Sequence, residues 1–309
     1  MFSLLKFFIY KFIPTHFYLK IISFYKKSKL KKTNFFFYKK NNYEIIGKLF
    51  QKKKIKKKIF IFGSGSSIKD LNYQNYKEIR DHFSIGINKW IFHEFITDYY
   101  MIELKTNKYN SLRGFNNLNK KYKQRIIDLL KIKKKKPIFL IYCPKYNLSE
   151  MKNWIKGIDP KRIFFYDYIR PNISKKNLKK EFIQTFKHTY KISKESNIVS
   201  LGIGSSIERA VSLSIINGFK QVVILGVDLR DRKYFWNQGD KNFDGLSNRQ
   251  KGYGLHQTAI KRFGSLPIQN SIPIMDQIAR KYYGSEILIS TNKSLLSSKL
   301  KKYYWKNTN

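Results

Sequence analysis

The chain has almost no cysteine, since Cys143 is the single one in 309 residues. One cysteine excludes an internal disulfide and a cysteine-rich zinc site, and such a chain fits a reducing compartment. Histidine is also scarce, and the five scattered residues lack the H-E-x-x-H spacing of a zinc hydrolase. They are His16, His82, His93, His188 and His256.

Acidic residues are few, with 20 Asp and Glu against 63 Lys and Arg, which gives a formal net charge of +43. A field of this sign attracts an acidic partner: nucleic acid, an anionic membrane surface or a phosphorylated substrate. Lys, Asn, Ile, Phe and Tyr are abundant together while Ala, Gly and Pro are scarce, so part of the Lys excess fits the drift of an AT-rich genome. An AT-rich genome explains the low number of Asp and Glu residues less well. We therefore expect that the positive charge has a role in binding an acidic partner.

Long uncharged apolar runs are also absent. The apolar segment 1–25 is interrupted by charged residues, Pro14 and His16, so it predicts neither a spanning helix nor a cleaved secretory signal. Aromatic and aliphatic residues mixed with Lys favour a segment in a membrane interface, helped by the basic runs KKSKLKK and QKKKIKKK. A disordered basic leader is the alternative. We expect a membrane-interface extension at 1–56 and a cytoplasmic protein held peripherally on the inner face of the membrane.

Short apolar runs alternate with helical patterns through the middle of the chain. Alternation of this kind predicts crossover units, and thus an α/β, doubly wound, mostly parallel sheet in a single main domain at 57–296, with a basic tail at 297–309. Such a sheet binds a nucleotide at the carboxyl ends of its strands. The predicted strands are 58–63, 83–88, 98–104, 136–143, 162–168, 221–229 and 286–291. The run 198–204 leads into a predicted helix at 205–219, and another helix is predicted at 271–284.

Two small-residue turns follow predicted strands. The first is Gly63-Ser64-Gly65-Ser66-Ser67, a strand-to-helix turn of the kind that presents backbone N–H groups to a phosphate. It matches neither G-x-G-x-x-G nor a Walker loop, so a tight βα turn capped by Ser is an equal alternative. The second is 202–206, before the helix that leads to Gly226 and Asp228. Two such turns in one sheet favour a nucleotide site.

Two further segments carry polar groups that suit chemistry. Asn88, at the end of the second strand, can hydrogen-bond a base or ribose, or can simply form a turn. His256 lies in a long polar loop, 230–257, that suits a lid or a substrate loop. It stands just before a helix and can act as a general base near neutral pH, although an exposed loop histidine is the alternative.

These residues resemble the bacterial sialyltransferases of glycosyltransferase family 42, within a wider set that includes pterin-diphosphokinase-like and motility accessory domains. The family's first turn, G-N-G-P-S-L, is matched by 63–68, and its Asn after strand two by Asn88. Its main signature, a small-residue turn, a helix with Ala, a Gly, an apolar strand and G-x-D, is matched without a gap over 205–228. Its closing N-x-S-L-L is matched at 292–296, so the resemblance spans roughly 58–296.

The resemblance implies a Rossmann-like fold of the GT-A variant and transfer of a sugar, sialic acid or a relative, from a CMP-activated donor to a surface glycan or lipopolysaccharide acceptor. It implies no metal and no other cofactor, which suits abundant cationic and hydroxyl donors at a leaving phosphate. His256 would take the acceptor proton and Tyr234 would bind the donor phosphate. The nucleotide-binding set would be Gly63, Ser64, Gly65, Ser66, Asn88, Ser205, Ser206, Gly226, Asp228 and Arg230.

The chain departs from the family pattern at several positions. Arg230 stands where the family has Tyr, Glu103 where it has Asn, and Gly202 and Gly204 where it has Arg and Thr. Glu103 would repel a nucleotide phosphate if it pointed into the site. One alternative is a metal-dependent pterin or nucleotide diphosphokinase that uses Asp228, Asp231 and Asp240 as ligands. A basic nucleic-acid-binding protein is another, but no recognisable module supports it and no nucleic-acid partner is expected.

Overall fold

The computed structural model describes Phe17, 19–21, Phe24, 58–104, 114–132, 137–142, Lys156, Ile158, 162–171, 178–196, 199–202, 204–230, 234–235, 255–260 and 266–306. Predictions for Cys143, for Asp231 and Asp240, and for most of 1–56 lie outside these residues. The described part is built on an eight-stranded sheet, with a second sheet of two strands beside it.

All strand pairs of the described part are parallel. The main sheet contains β1 (Lys58–Phe62), β2 (Phe83–Ile87), β3 (Tyr99–Glu103), β4 (Ile138–Tyr142), β5 (Ile163–Phe165), β8 (Gln221–Leu225), β9 (Glu286–Ile289) and β10 (Lys301–Lys302). The small sheet contains β6 (Asp167–Ile169) and β7 (Val199–Leu201). The order in the main sheet is β10-β9-β8-β1-β2-β3-β4-β5. Five α-helices follow β1 in the described residues: α1 (Tyr73–Arg80), α2 (Gly114–Lys131), α3 (Leu178–Ser196), α4 (Ser206–Ile216) and α5 (Ile268–Tyr283).

Helices cover both faces of the main sheet. In β1, Ile59 and Ile61 belong to the core on the side of α3, α4 and α5, whereas Phe60 and Phe62 belong to the core on the side of α1 and α2. Successive strand residues point to opposite faces, so a strand buried on both faces must be apolar throughout. The run at 58–62 satisfies this condition, and the predicted doubly wound α/β fold is confirmed.

Two predictions about strands need correction. The run 162–168 was expected to form one strand, but it divides at Tyr166 into β5, which pairs with β4, and β6, which pairs with β7. The Tyr166 N–H still bonds to Ile141 of the main sheet, and the chain then leaves that sheet. The run 198–204 shortens to β7 and lies in the small sheet. Short apolar runs show that a strand forms, but not which strand it joins.

The C-terminal residues pack on the sheet. β10 lies beside β9, and the Trp305 ring stacks on Phe60 with the two planes 2° apart. Glu78 accepts hydrogen bonds from Tyr303, from Lys58 and from the Lys306 N–H, and these contacts fasten the segment to β1 and α1. The described part of 297–309, which the sequence assigned to a basic tail, therefore belongs to the packed fold.

Candidate functional site

The strand order of the main sheet reverses between β1 and β8. The chain runs outward from β1 to β5, then returns to β8 on the other side of β1 and continues to β10. In open α/β sheets, ligands bind in the crevice at the carboxyl ends of the strands where this reversal occurs. The turns after β1 and β8 form this crevice, and the sequence analysis selected 63–67 in the first and Gly226 and Asp228 in the second. The other predicted small-residue turn, 202–206, follows β7 of the two-stranded sheet, which corrects the expectation of two such turns in one sheet.

The glycines of the turn after β1 allow its backbone to lie close to the end of β8. The Gly63 N–H bonds to the Leu225 carbonyl at 2.8 Å, and the Gly65 N–H bonds to the Gly226 carbonyl at 2.7 Å. A Cβ at Gly63 would collide with the Gly226 carbonyl. These two N–H groups are already used inside the protein, which corrects the expectation that both would bind a phosphate. Ser64, in the same turn, is half-buried.

Asp228 joins the two turns. Its carboxylate accepts bonds from the Ser67 N–H at 2.9 Å, from the Ser67 hydroxyl and from the Ser66 hydroxyl at 3.3 Å. It is 6% exposed, and a Cβ at Gly65 would lie 2.6 Å from its Oδ2. Asp228 therefore caps the 3-10 helix Ser66–Asp70 instead of facing a nucleotide or a metal. Within the described ranges, no three His, Cys, Asp or Glu side chains form a group that could hold a metal ion.

The turn after β8 carries two left-handed residues. Gly226 has φ 62°, and a Cβ there would lie 2.6 Å from the Ile68 side chain, so glycine is required by both conformation and space. Leu229 has φ 66°, which a non-glycine residue rarely adopts. The turn directs Arg230 outward, where it is exposed at the start of the polar loop.

A second group of polar residues lies at the ends of β2 and β3. The Asn88 side chain donates to the Ser206 hydroxyl at 3.0 Å and accepts from the Glu103 N–H at 2.9 Å. The Ser206 hydroxyl and the Arg209 guanidinium both donate to the same oxygen of Glu103. We call these four residues the Glu103 cluster. It brings Asn88 and Ser206 together, as the nucleotide-site prediction requires.

Arg209 is the residue of this cluster that the sequence analysis missed. It is 3% exposed, forms an ion pair with Glu103, and its guanidinium lies 3.8 Å from the Tyr168 ring centroid and 5.0 Å from that of Tyr142. Burial opposes its charge, but Glu103 and the surrounding tyrosines hold the pKa of Arg209 above its usual value. Glu103 is therefore charge-compensated, which removes the repulsion expected from it. A Cβ at Gly202 would lie 2.6 Å from the Arg209 side chain, which explains that glycine.

Ser205 serves the helix itself. It is the N-cap of α4, accepting from the Glu208 N–H, while Glu208 accepts in return from the Gly204 and Ser205 N–H groups at 2.8 and 2.9 Å. The other Glu208 oxygen accepts from Ser271 of α5. The N–H groups of Gly204, Ser205 and Glu208 at the start of α4 are thus bonded within the protein. This arrangement corrects the expectation that Ser205 holds the nucleotide, because its hydroxyl is used as a cap.

Tyr234 and His256 come together above the first turn, although 22 positions separate them in the sequence. Their ring centroids are 6.3 Å apart and the planes are nearly perpendicular. Tyr234 forms a bridge with Gly65, and the His256 N–H bonds to the Leu229 carbonyl at 3.0 Å. The Lys89 ammonium lies 5.2 Å from the Tyr234 ring centroid and adds positive charge. We call Lys89, Tyr234 and His256 the His256 cluster.

The His256 ring is oriented by Thr258. Nδ1 lies 2.8 Å from the Thr258 hydroxyl oxygen and accepts a hydrogen bond from the Thr258 N–H at 3.3 Å. A backbone N–H can only donate, so this contact uses the Nδ1 lone pair and places the proton of a neutral ring on Nε2. Nε2 has the lone pair of a general base in the other tautomer, in which Nδ1 gives up the 3.3 Å contact and donates to the Thr258 hydroxyl. The ring is half-buried. In the tautomer with the proton on Nδ1, Nε2 can accept a proton from a bound hydroxyl group.

His93 is a second histidine near this site, but its packing gives it another role. Its ring stacks on Trp90 with centroids 4.0 Å apart and meets Phe235 at 4.9 Å. Burial lowers the pKa of His93 to about 4, so the ring is neutral at ordinary pH. It packs beside the loop that carries Tyr234.

The two clusters are adjacent. The 3-10 helix Asn88–Phe92 begins in the Glu103 cluster and its next residue, Lys89, lies over Tyr234. Asn88 itself has φ 49°, a left-handed conformation that Asn tolerates better than most residues. One side of the crevice is therefore a charge-balanced, hydrogen-bonded group, and the other is a cationic group with an imidazole and a phenol.

Comparisons with known proteins leave the family open. No protein-family model matches the chain, and no curated protein matches it significantly. Among solved structures, it is similar to the monofunctional alpha-2,3-sialyltransferase Cst-I from Campylobacter jejuni, with 17% identity and a TM-score of 0.48. The similarity covers 83% of this chain and 84% of that one. At this TM-score, the similarity adds nothing to what the sheet and the two clusters establish by themselves.

Proposed function

We propose that this chain is a glycosyltransferase that moves a sugar, sialic acid or a relative, from a CMP-activated donor to a hydroxyl group of a surface glycan or lipopolysaccharide acceptor. The observation that supports it best is the meeting of Tyr234 and His256 at the reversal point of the sheet. The contact of Asn88 with Ser206, two residues that match the pattern of the family 42 sialyltransferases, also supports the proposal.

The His256 cluster supplies the groups that the transfer needs. His256 takes the proton of the acceptor hydroxyl as its oxygen attacks the anomeric carbon of the donor. The bond from that carbon to the phosphate oxygen breaks, and its electron pair leaves with CMP. The Tyr234 hydroxyl donates to the departing phosphate, and the positive charge of Lys89 stabilises it.

The Glu103 cluster is the proposed place of the nucleoside. Glu103 is half-buried. One of its carboxylate oxygens accepts from Ser206 and Arg209, and the other oxygen is a further acceptor. A carboxylate accepts only from N–H or O–H groups, and the cytosine amino group and the ribose hydroxyls are such donors. Because Arg209 balances its charge, Glu103 can face a nucleoside whose phosphate lies at the cationic end of the crevice.

The proposal is tested by ligand-dependent melting and by release of CMP from CMP-sialic acid in the presence of glycan acceptors. CMP should raise the melting temperature of the purified protein more than UMP, GMP or AMP does. His256→Ala should lower turnover by about 10²–10⁴-fold and keep the stabilisation by CMP, because the base acts on the acceptor. Tyr234→Phe should lower turnover by about 10²-fold through loss of one donor to the leaving group.

The matched control is His82→Ala, since His82 lies at the amino end of β2, whereas the candidate site lies at the carboxyl ends of the strands. It should keep both turnover and stabilisation by CMP. Unchanged turnover in His256→Ala would remove the proposed base. Stabilisation by UMP, but not by CMP, would contradict the proposed donor.

A further inference from the structure

A helical segment before the sheet is docked on the domain by one side. The structure is helical at Phe17, 19–21 and Phe24. Leu19 is 3% exposed, and its carbonyl oxygen lies 3.0 Å from Nε2 of His188 in α3. The side of the segment that carries Leu19 therefore packs against the domain at α3.

The opposite side of this segment is apolar and exposed. Phe17 is 53% exposed, Ile21 57% and Phe24 78%. At 100° per residue these three positions lie within about 60° of one another, and Leu19 points to the other side. The Lys20 ammonium lies 5.9 Å from the Phe17 ring centroid and borders this face. Contiguous exposed apolar side chains on one helix mark an interaction surface, whereas single exposed ones are ordinary.

The positive charge of the chain favours an anionic lipid surface as the partner of this apolar face. The chain has a formal net charge of +43, and the sequence after this segment reads KKSKLKK at 26–32. A second copy on the same face would bring two strongly positive chains together, whereas an anionic lipid surface attracts both the apolar face and the lysines. No helix in the described part of the chain is long and apolar enough to span a bilayer. An interfacial helix, which lies in the membrane plane, needs no such length.

We propose that Phe17, Ile21 and Phe24 form a peripheral membrane-binding face that enters the interface of an anionic phospholipid bilayer. The apolar side chains displace headgroup water, and the flanking lysines remain at the level of the phosphates. The face holds the domain on the membrane surface, and it does not depend on the proposed transferase chemistry.

The test is cosedimentation of the full chain with vesicles of phosphatidylcholine, with and without phosphatidylglycerol. Wild-type protein should bind the anionic vesicles. The variant Phe17→Ser/Ile21→Ser/Phe24→Ser should bind them at least ~30-fold more weakly, because three exposed apolar side chains no longer leave water. The matched control Tyr73→Ser/Tyr304→Ser removes two side chains that are 68% and 76% exposed elsewhere, and it should bind like wild type.

Raised salt should weaken binding of the wild type and abolish that of the triple variant, since only the electrostatic part is screened. Equal binding by the triple variant and the wild type would overturn the proposal, because the basic runs alone would then suffice. A wild-type dimer that becomes monomeric in the triple variant, without vesicle binding, would assign the face to a second copy. Unchanged melting temperatures of both variants verify that folding is intact.

Discussion

Replacing Glu103 by Gln would test the buried ion pair of the candidate site. The change keeps the shape and an acceptor oxygen for Ser206 but removes the negative charge opposite Arg209, which is 3% exposed. Loss of one partner of a buried pair costs about 3–5 kcal/mol, because the remaining charge is uncompensated. The Glu103 side chain is 23% exposed, so water replaces part of the lost interaction and we expect about 3 kcal/mol.

Urea unfolding measures this effect. With a slope of about 3 kcal/mol per molar, the loss would move the midpoint down by about 1 M. Arg209→Met should cost less than Glu103→Gln, because the remaining carboxylate reaches water and the methionine fits the aromatic surroundings of Tyr168 and Tyr142. The double variant should recover about 1–2 kcal/mol relative to the sum of the single changes, which is the coupling expected for contacting residues.

The control is Lys293→Met, which breaks the ion pair of Lys293 with Asp70 on the surface. Those side chains are 63% and 48% exposed, so the urea midpoint should not change. Additive effects of Glu103→Gln and Arg209→Met would refute the reasoning, since two residues that interact directly cannot be independent. A midpoint for Glu103→Gln equal to that of the control would refute it as well.

Three other predictions follow from single contacts. Gly65→Ala should lower the free energy of unfolding by about 1–3 kcal/mol in urea titrations, because its Cβ would meet Asp228. Thr258→Val should lower kcat about 10-fold and change the pH profile of transfer, with recovery in Thr258→Ser, because the hydroxyl orients His256. Burial opposes the ionised form of Glu78, but hydrogen bonds from Tyr303, Lys306 and Lys58 hold its pKa below its ordinary value, so its stabilising effect is lost as pH falls below the ordinary range of a glutamate. Urea midpoints of Glu78→Gln measured from neutral to acidic pH should therefore fall less than those of the wild type.

The sheet was predictable from sequence because its strands are short and buried on both faces. Runs such as 58–63 and 221–229 have too few polar residues to face water, and they correspond to β1 and β8. Helices α2 and α3 received no prediction, since their apolar positions are spaced among many lysines. Their buried faces, with Ile126 in α2 and Phe186 in α3, are clear only once the sheet that covers them is known.

The roles of the small-residue turns were not predictable from local pattern. A Gly-x-Gly turn serves a phosphate in one protein and a close backbone contact in another, and the partner decides between them. For Gly63 and Gly65 the partners are carbonyls of residues 225 and 226, more than 150 positions away. Asp228 likewise stands where a ligand-binding carboxylate was expected, yet it caps the turn beside it.

The apolar character of its helix could have predicted a buried, paired Arg209 from the sequence. The helix at 205–219 is apolar on most of its surface, and such a helix is buried all round. Its two charged residues, Glu208 and Arg209, must then have buried partners, because an unpaired buried charge is too costly. The sequence already supplied Glu103 as an acidic residue at the end of a strand. Pairing the two would have placed a compensated charge in the site.

The distribution of charge in the crevice gives the proposed donor a direction. In the Glu103 cluster, one carboxylate and one guanidinium cancel, and the remaining groups are neutral hydrogen-bonding side chains. In the His256 cluster, the positive charge of Lys89 lies against the π-face of Tyr234. Phosphate is stabilised where positive charge is in excess, and a nucleoside where polar groups are balanced. The donor would thus lie along Asn88–Lys89, with its base toward Glu103 and its anomeric carbon beside His256.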